Sequence, residues 1–174
     1  MKRYRIAAAV FLGSAFIAAS PAFAVDTGSD TGTIGVSLTI IEECTLVTEA
    51  LDFGTAGIID ENVDAEADIT IECTKHSPYA IGLSAGLNAG GTDVTLRKLK
   101  NGGTDTLNYQ LYSDEDFSDV WGHTIGSNTV DGEDATGSDE TFTIYGRVPT
   151  HQNAPAGSYS DTITATIWYD DDLP

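Results

Sequence analysis

The amino-acid sequence predicts an all-β protein, an antiparallel β-sandwich of immunoglobulin type. Three observations carry that expectation. Beyond residue 24, no window of a dozen residues sustains apolar spacing of three or four, so helix is a minor component. Apolar residues instead recur at every second position in six separate segments. Clusters of glycine, asparagine and proline fall between segments, where chain reversal needs residues that tolerate positive φ or are pre-set for a turn.

The front of the chain is separable. Lys2, Arg3 and Arg5 precede an apolar run from Ile6 to Ala19, which ends in Ser20-Pro21 and the small-x-small sequence Ala22-Phe23-Ala24. That is the three-part layout of a secretory signal peptide, so residues 1–24 are set apart and the mature chain is expected to start at Val25. The remaining 150 residues fit one domain, able to bury roughly 68–70% of its unfolded surface. The apolar run is shorter than the ~20 residues a spanning helix needs, and no other stretch approaches that length. The mature protein is therefore expected not to span a membrane.

Charge narrows the function classes further. The chain has 8 Lys+Arg against 27 Asp+Glu, a formal net charge of −19, and loss of the three N-terminal cations takes it to −22. A surface of that sign repels a phosphate backbone, so nucleic acid is excluded as a partner. Disorder is disfavoured by a hydrophobic content of 41%, with Trp121, Trp168 and seven tyrosines.

Taken in order, the elements begin with a small, acidic segment from Val25 to Gly32, followed by Ile34, Val36, Leu38 and Ile40 alternating with Gly35, Ser37 and Thr39. An apolar strand at a terminus is an aggregation liability unless it is paired. Either it is the first strand of its own sheet, or it is a donor strand that inserts into a neighbouring subunit by β-strand addition. Cys44 and Cys73 are the only cysteines of an exported chain, which makes a disulfide the default; closing that 30-residue loop constrains the unfolded chain by roughly 3.6 kcal/mol. Alternation returns in Ile69, Ile71 and Cys73, in Tyr79, Ile81 and Leu83, and in Leu107, Tyr109 and Leu111. It returns again in Phe142, Ile144 and Val148, set against Thr143, Tyr145 and Arg147. The cleanest strand is the last, with Ile163, Ala165, Ile167 and Tyr169 on one face and Thr162, Thr164, Thr166 and Trp168 on the other. Turns are expected at Gly86 to Gly91, Asn101-Gly102-Gly103, Asp131-Gly132 and Pro155-Ala156-Gly157. Ser113 to Glu140 reads as a long, partly ordered connection with one short strand, and Asp170-Asp171-Asp172 as a solvated tail.

No chemistry is nominated. Gly82-Leu83-Ser84-Ala85-Gly86 matches the nucleophile-elbow pattern, but a glycine-rich loop follows where that motif needs a helix. Asp114, Asp116, Ser118 and Asp119 have some character of a calcium loop, yet the sixth and twelfth positions hold Asp119 and Ile125 in place of glycine and glutamate. His76, His123 and His151 are far apart, and the cysteines lack metal-site spacing. Carboxylates are too abundant to single out a catalytic pair. The chain is expected to have no catalytic residue, cofactor or resident metal.

The order of landmarks then resembles a family. Leu51-Asp52-Phe53-Gly54 follows Cys44, Tyr79-Ala80-Ile81-Gly82-Leu83 follows Cys73, and Leu107 to Asp114 leads to Trp121-Gly122. Tyr145-Gly146-Arg147-Val148-Pro149, then Pro155 to Thr162 and a final alternating strand, complete the set. Over roughly residues 31–170 the chain is similar to the spore coat protein U domain family, which includes the secreted pilins of archaic, Csu-type chaperone–usher systems. The resemblance implies a pilin-type, incomplete immunoglobulin-like sandwich that lacks its last strand. It implies a periplasmic chaperone and an outer-membrane usher as partners, and neighbouring subunits that supply the missing strand in a homopolymer. Carried onto this chain, residues 25–41 are the donor extension, with Ile34, Val36, Leu38 and Ile40 as donor residues. Residues 42–174 are the sandwich, with Cys44 bonded to Cys73.

The function expected is that of a non-enzymatic, secreted subunit that polymerises by donor-strand exchange into a surface pilus or spore coat, supporting adhesion and biofilm formation. With a single domain, a shaft or coat subunit fits better than a tip adhesin. The alternative is a self-contained secreted binding module that does not polymerise.

Overall fold

The computed structural model describes residues 27–169 and residue 173; the expected signal peptide and the Asp170-Asp171-Asp172 run lie outside the described residues. The chain divides into two units, residues 1–38 and residues 39–174. In the first, residues 27–38 form no strand.

The second unit holds nine strands among the described residues: β1 Cys44–Thr48, β2 Val63–Cys73, β3 Tyr79–Leu83, β4 Lys98–Lys100, β5 Thr106–Asn108, β6 Gln110–Tyr112, β7 Val130–Gly132, β8 Glu140–Val148 and β9 Ala165–Tyr169. A single 3₁₀ turn, Val94–Leu96, is capped by the Asp93 carboxylate, which accepts from the Thr95 N–H. All pairings are antiparallel. One sheet runs β1-β2-β8-β6, a second β7-β3-β9, and β4-β5 form a small hairpin. This is the two-layer arrangement expected of the immunoglobulin class.

The longest pairing, β2 with β8, shows how the alternation is used. Opposed residues share a face, so Ile69 meets Phe142 and Ala67 meets Ile144 on the inside. Outside, Arg147 makes two 2.7 Å bonds to Asp64, and the Thr143 hydroxyl donates to Asp68. Where the inner positions are small, at Ala65 and Gly146, another segment enters. A Cβ on Gly146 would lie 2.8 Å from a Leu51 methyl and 3.0 Å from the Phe53 ring. Leu51-Asp52-Phe53 therefore docks where the apolar period of β8 lapses.

Cys44 and Cys73 lie opposite each other in the β1–β2 ladder, with a Cα–Cα separation of 4.0 Å, and are joined by a disulfide. The Thr74 N–H donates to the Glu43 carbonyl, while its hydroxyl accepts from the Glu43 N–H and donates to the Ile41 carbonyl. Ile41 to Glu43 thus continue the line of β1.

Between the sheets lies a core of Ile69, Ile71, Ile81, Leu83, Trp121 and their neighbours. β3 is buried on both faces, as befits the central strand of its sheet. Trp121 stitches the layers together, its main-chain N–H donating to Leu111 and its indole N–H to the Ile81 carbonyl. Arg97 is the one buried cation among the described residues. Its guanidinium donates to the carbonyls of Leu83, Ser84 and Trp121 and to the Gln110 side chain, over 2.6–3.1 Å. Burial pushes it down to about 10, and at neutral pH it remains charged.

Three expectations are corrected. Asp131-Gly132 is not a turn but part of β7, where Gly132 faces Tyr79; a Cβ there would sit 2.3 Å from the tyrosine ring. Leu107 to Leu111 is not one strand. The chain changes partners at Tyr109, so that β5 pairs with β4 while β6 pairs with β8. The connection from Ser113 to Glu140 is held more firmly than expected, pinned by Trp121 and by the Gly122 carbonyl, which accepts from Leu83 at 2.7 Å.

Replacing both Cys44 and Cys73 by serine is expected to lower stability by about 2–5 kcal/mol, measured by urea unfolding of the oxidised wild type and the variant. Arg97→Met leaves the buried carbonyls of Leu83 and Trp121 and the half-buried one of Ser84 without this donor, and is expected to lower the urea midpoint by the equivalent of about 3 kcal/mol or more.

Candidate functional site

The two edge strands of the sandwich define the site. β1 is outermost in the four-stranded sheet and β9 in the three-stranded sheet. Backbone phase follows from the flanking bonds. Glu49 N–H donates to Asp68 and Thr74 N–H to Glu43, so residues 43, 45, 47 and 49 bond toward β2. Cys44, Leu46 and Thr48 consequently direct their N–H and C=O groups away from it. Likewise, Ser84 N–H donates to Thr164 and Leu87 N–H to Thr162, which leaves Ile163, Ala165 and Ile167 with backbone groups aimed away from β3. Two rows of unpaired backbone groups thus flank the open side of the sandwich.

Beneath them lies a groove of about 1500 Å³. Its floor takes apolar residues from each of the main strands, among them Leu46 of β1, Ile69 of β2, Leu83 of β3, Leu111 of β6, Ile144 of β8 and Ala165 of β9. One end is shaped by an ordered polar tie. Phe53 packs edge-on against Tyr109, whose hydroxyl donates to Asp161 at 2.8 Å, and the same carboxylate accepts from the Asn88 N–H. Burial, followed by the bond to Asp161, pushes the Tyr109 hydroxyl upward, so it remains a proton donor throughout the neutral range.

Apolar floor and unpaired edges together can accept an extended, apolar segment, with main-chain bonds supplying affinity and alternate side chains supplying selectivity. The side chains that resembled catalytic or metal-binding groups have other work. Ser84 Oγ accepts from Thr164 N–H, and the Asp114 carboxylate accepts from the N–H groups of Ser118 and Asp119, closing its own loop. Among the described residues no group of His, Cys, Asp or Glu is arranged to hold a metal.

Of the residues singled out from the sequence, Cys44 and Cys73 lie at the start of β1 and the end of β2. Ile34, Val36, Leu38 and Ile40 are 89%, 91%, 84% and 74% exposed. The resemblance implied a missing strand, but sequence reasoning named none of the residues that line the groove, nor the Phe53–Tyr109–Asp161 tie. The one signal available was Gly146, the single gap in the inner apolar period of β8.

Known proteins resemble this chain in sequence and in fold. The family model for the Spore Coat Protein U domain matches residues 30–166. Protein U of Myxococcus xanthus is 32% identical over 176 residues, covering 93% of this chain and 96% of its own length. Among solved structures, the CsuC–CsuE chaperone–tip adhesion subunit pre-assembly complex from archaic chaperone-usher Csu pili of Acinetobacter baumannii contains a similar fold. The TM-score is 0.53 at 22% identity, covering 74% of this chain and 40% of that one. At that identity the likeness is one of fold. With the family model spanning the alternating segment, the groove and the start of β9, this chain belongs to the Spore Coat Protein U domain family.

Proposed function

We propose that this protein is a secreted, non-enzymatic structural subunit that polymerises by donor-strand exchange into a surface pilus or coat, supporting adhesion and biofilm formation. One observation carries the reading: a single chain holds both an exposed apolar alternation and an apolar groove flanked by two unpaired strand edges. Ile34, Val36, Leu38 and Ile40 of one copy enter the groove of the next. Spaced about 6.7 Å apart in an extended strand, they run some 20 Å, and their burial contributes roughly 6–12 kcal/mol before ladder bonds are counted.

The groove is better filled by a second copy than by the chain's own extension. Ile41, Glu42 and Glu43 offer no glycine, proline or asparagine to reverse direction, and Thr74 holds them in line with β1. A head-to-tail contact of this kind does not close on itself and generates a filament. Before assembly the open groove needs a guard, the role we assign to a periplasmic chaperone, with an outer-membrane usher as the exit. The subunit in the Csu complex is held by such a chaperone, and that precedent favours the assignment. A formal charge of −22 per mature subunit keeps neighbouring filaments apart at low salt.

Unheated detergent electrophoresis of the native material is expected to give a ladder of subunit multiples that collapses to one band on boiling. Deletion of residues 25–41 is expected to abolish the ladder while leaving a folded, chaperone-bound subunit. Leu38→Glu, which places a charge over the apolar floor, is expected to reduce polymer yield by at least ten-fold. A single monomer band from the wild type before and after heating, with unaided refolding, supports the self-contained binding module instead.

A further inference from the structure

β9 and the residues just before it present two contrasting faces along the open edge. Ile163, Ala165, Ile167 and Tyr169 pack inward against the core. Thr162, Thr164, Thr166 and Trp168 point outward, because side chains alternate along a strand. Trp168 leans toward β3: a Cβ on Gly82 would lie 2.7 Å from its Cζ3. His123 packs edge-on against the same ring, with its Nε2 3.2 Å from the Thr166 hydroxyl. The extension carries a similar alternation. Ile34, Val36, Leu38 and Ile40 occupy one of its faces, and Gly35, Ser37 and Thr39 lie between them on the other.

Direction follows from where chains enter and leave. Cys44 is paired with Cys73 and Tyr79 with Tyr169, and five residues join Cys73 to Tyr79, so all four lie at one end of the sandwich. The acceptor's own extension leaves at that end, in line with β1. An incoming strand parallel to β9 would bring Ile40 there too, with the donor's own sandwich three residues behind it, where the outgoing extension already stands. An incoming strand antiparallel to β9 brings the donor's sandwich to the Ile163 end. Successive junctions then fall at opposite ends of each subunit, and the filament extends.

We propose that the donor strand lies antiparallel to β9 with Ile34, Val36, Leu38 and Ile40 opposite Tyr169, Ile167, Ala165 and Ile163, which sets Gly35 against Trp168, Ser37 against Thr166 and Thr39 against Thr164. This rests on the donor-strand reading and gives it a register. Backbone phase agrees. Ile163, Ala165 and Ile167 aim their backbone groups at the incoming strand and form the hydrogen-bonded pairs; the outward pairs are the other kind, with Cα atoms about 4.5 Å apart. Side chains are closest at those pairs, and there the bulkiest residue of the edge meets glycine, whose bare backbone the indole covers in return. At the next two pairs hydroxyls meet, each able to donate and to accept. Inside, Leu38 meets Ala165, the small residue of the inner face.

Neighbouring registers fit less well. A slip of one residue turns the apolar face outward. Sliding the donor two residues one way sets Ile40 against the Asp161 carboxylate, which Tyr109 already holds, and Thr33 against Trp168. Sliding it two the other way carries Ile34 beyond Tyr169, the last residue of β9, and sets Ser37 against Trp168.

The test uses purified polymer of the full mature chain with Cys44 and Cys73 retained. Thr164→Cys, at an exposed position, is combined in turn with Gly35→Cys, Ser37→Cys, Thr39→Cys and Ile41→Cys. The assembled polymers are oxidised mildly and boiled in detergent without reductant. Directly opposed outward residues fall within disulfide range, whereas residues two positions off exceed about 7 Å. The ladder of Thr39→Cys with Thr164→Cys is expected to survive boiling and to collapse with reductant, and the other three to collapse without it. A surviving ladder from the Ser37→Cys or Ile41→Cys pair gives a register displaced by two and overturns the proposal; one from the Gly35→Cys pair gives the opposite direction and overturns it as well. A wild-type ladder with no crosslink from any pair overturns the register and leaves the donor strand standing, and a wild type that yields only monomer overturns both. Gly35→Ile is expected to lower polymer yield roughly five-fold or more, and Ser37→Ile much less; equal yields overturn the pairing of Gly35 with Trp168.

Discussion

An antiparallel sandwich must find partners for the backbone groups along its outermost strands, and here that requirement is open at β1 and β9 together. Much of the architecture is arranged around this opening. β3 is buried on both faces and tied to Trp121, so β9 has a firm inner neighbour. β2 is paired on both sides, with β8 and with β1. The edges are therefore held rigidly by the strands behind them while remaining unpaired themselves. A flexible edge would collapse inward and bury the apolar floor; a braced one keeps its shape until something fits between. The Phe53–Tyr109–Asp161 tie braces one end in the same way, using a hydroxyl and a carboxylate that satisfy each other.

Such a site differs from an enzyme's in what it recognises. It offers an apolar floor and main-chain groups, and among the described residues no group of His, Cys, Asp or Glu is placed to hold a metal ion. An extended segment is the shape such a floor and such edges can accept. The acidic surface belongs to the same logic: repulsion between like-charged faces disfavours lateral sticking, whereas burial in the groove is insensitive to it.

The sequence was informative where one residue reports one contact. Period-two alternation located β3, the inner half of β2, β8 and β9, because each presents a continuous apolar face to the core. It failed where the partner was remote. β1 is only five residues long and exposes Val47, so its alternation of Cys44, Leu46 and Thr48 is weak as a pattern. The outer half of β2 uses Ala65 and Ala67, too small to register as apolar anchors, because Leu51 and Phe53 supply the bulk from another loop. The break at Tyr109 was hidden for a related reason: its alternation is intact, and only the change of partner strand divides β5 from β6. Asp131-Gly132 has turn chemistry locally, but the ring of Tyr79 demands a bare backbone opposite it. The groove was implied only by resemblance, and its lining could not be read from the residues because it is made by the absence of a neighbouring strand.

The position of the disulfide has a mechanical meaning. Cys44 is the first residue of β1 and Cys73 the last of β2, so tension drawn through the chain ahead of Cys44 enters the sandwich at that bond. Without it, a pull would be borne by the five-residue β1–β2 ladder alone. With it, load passes covalently to β2, whose long pairing with β8 must slide as a whole before it yields. The crosslink transfers load from an edge strand to one that is paired on both sides.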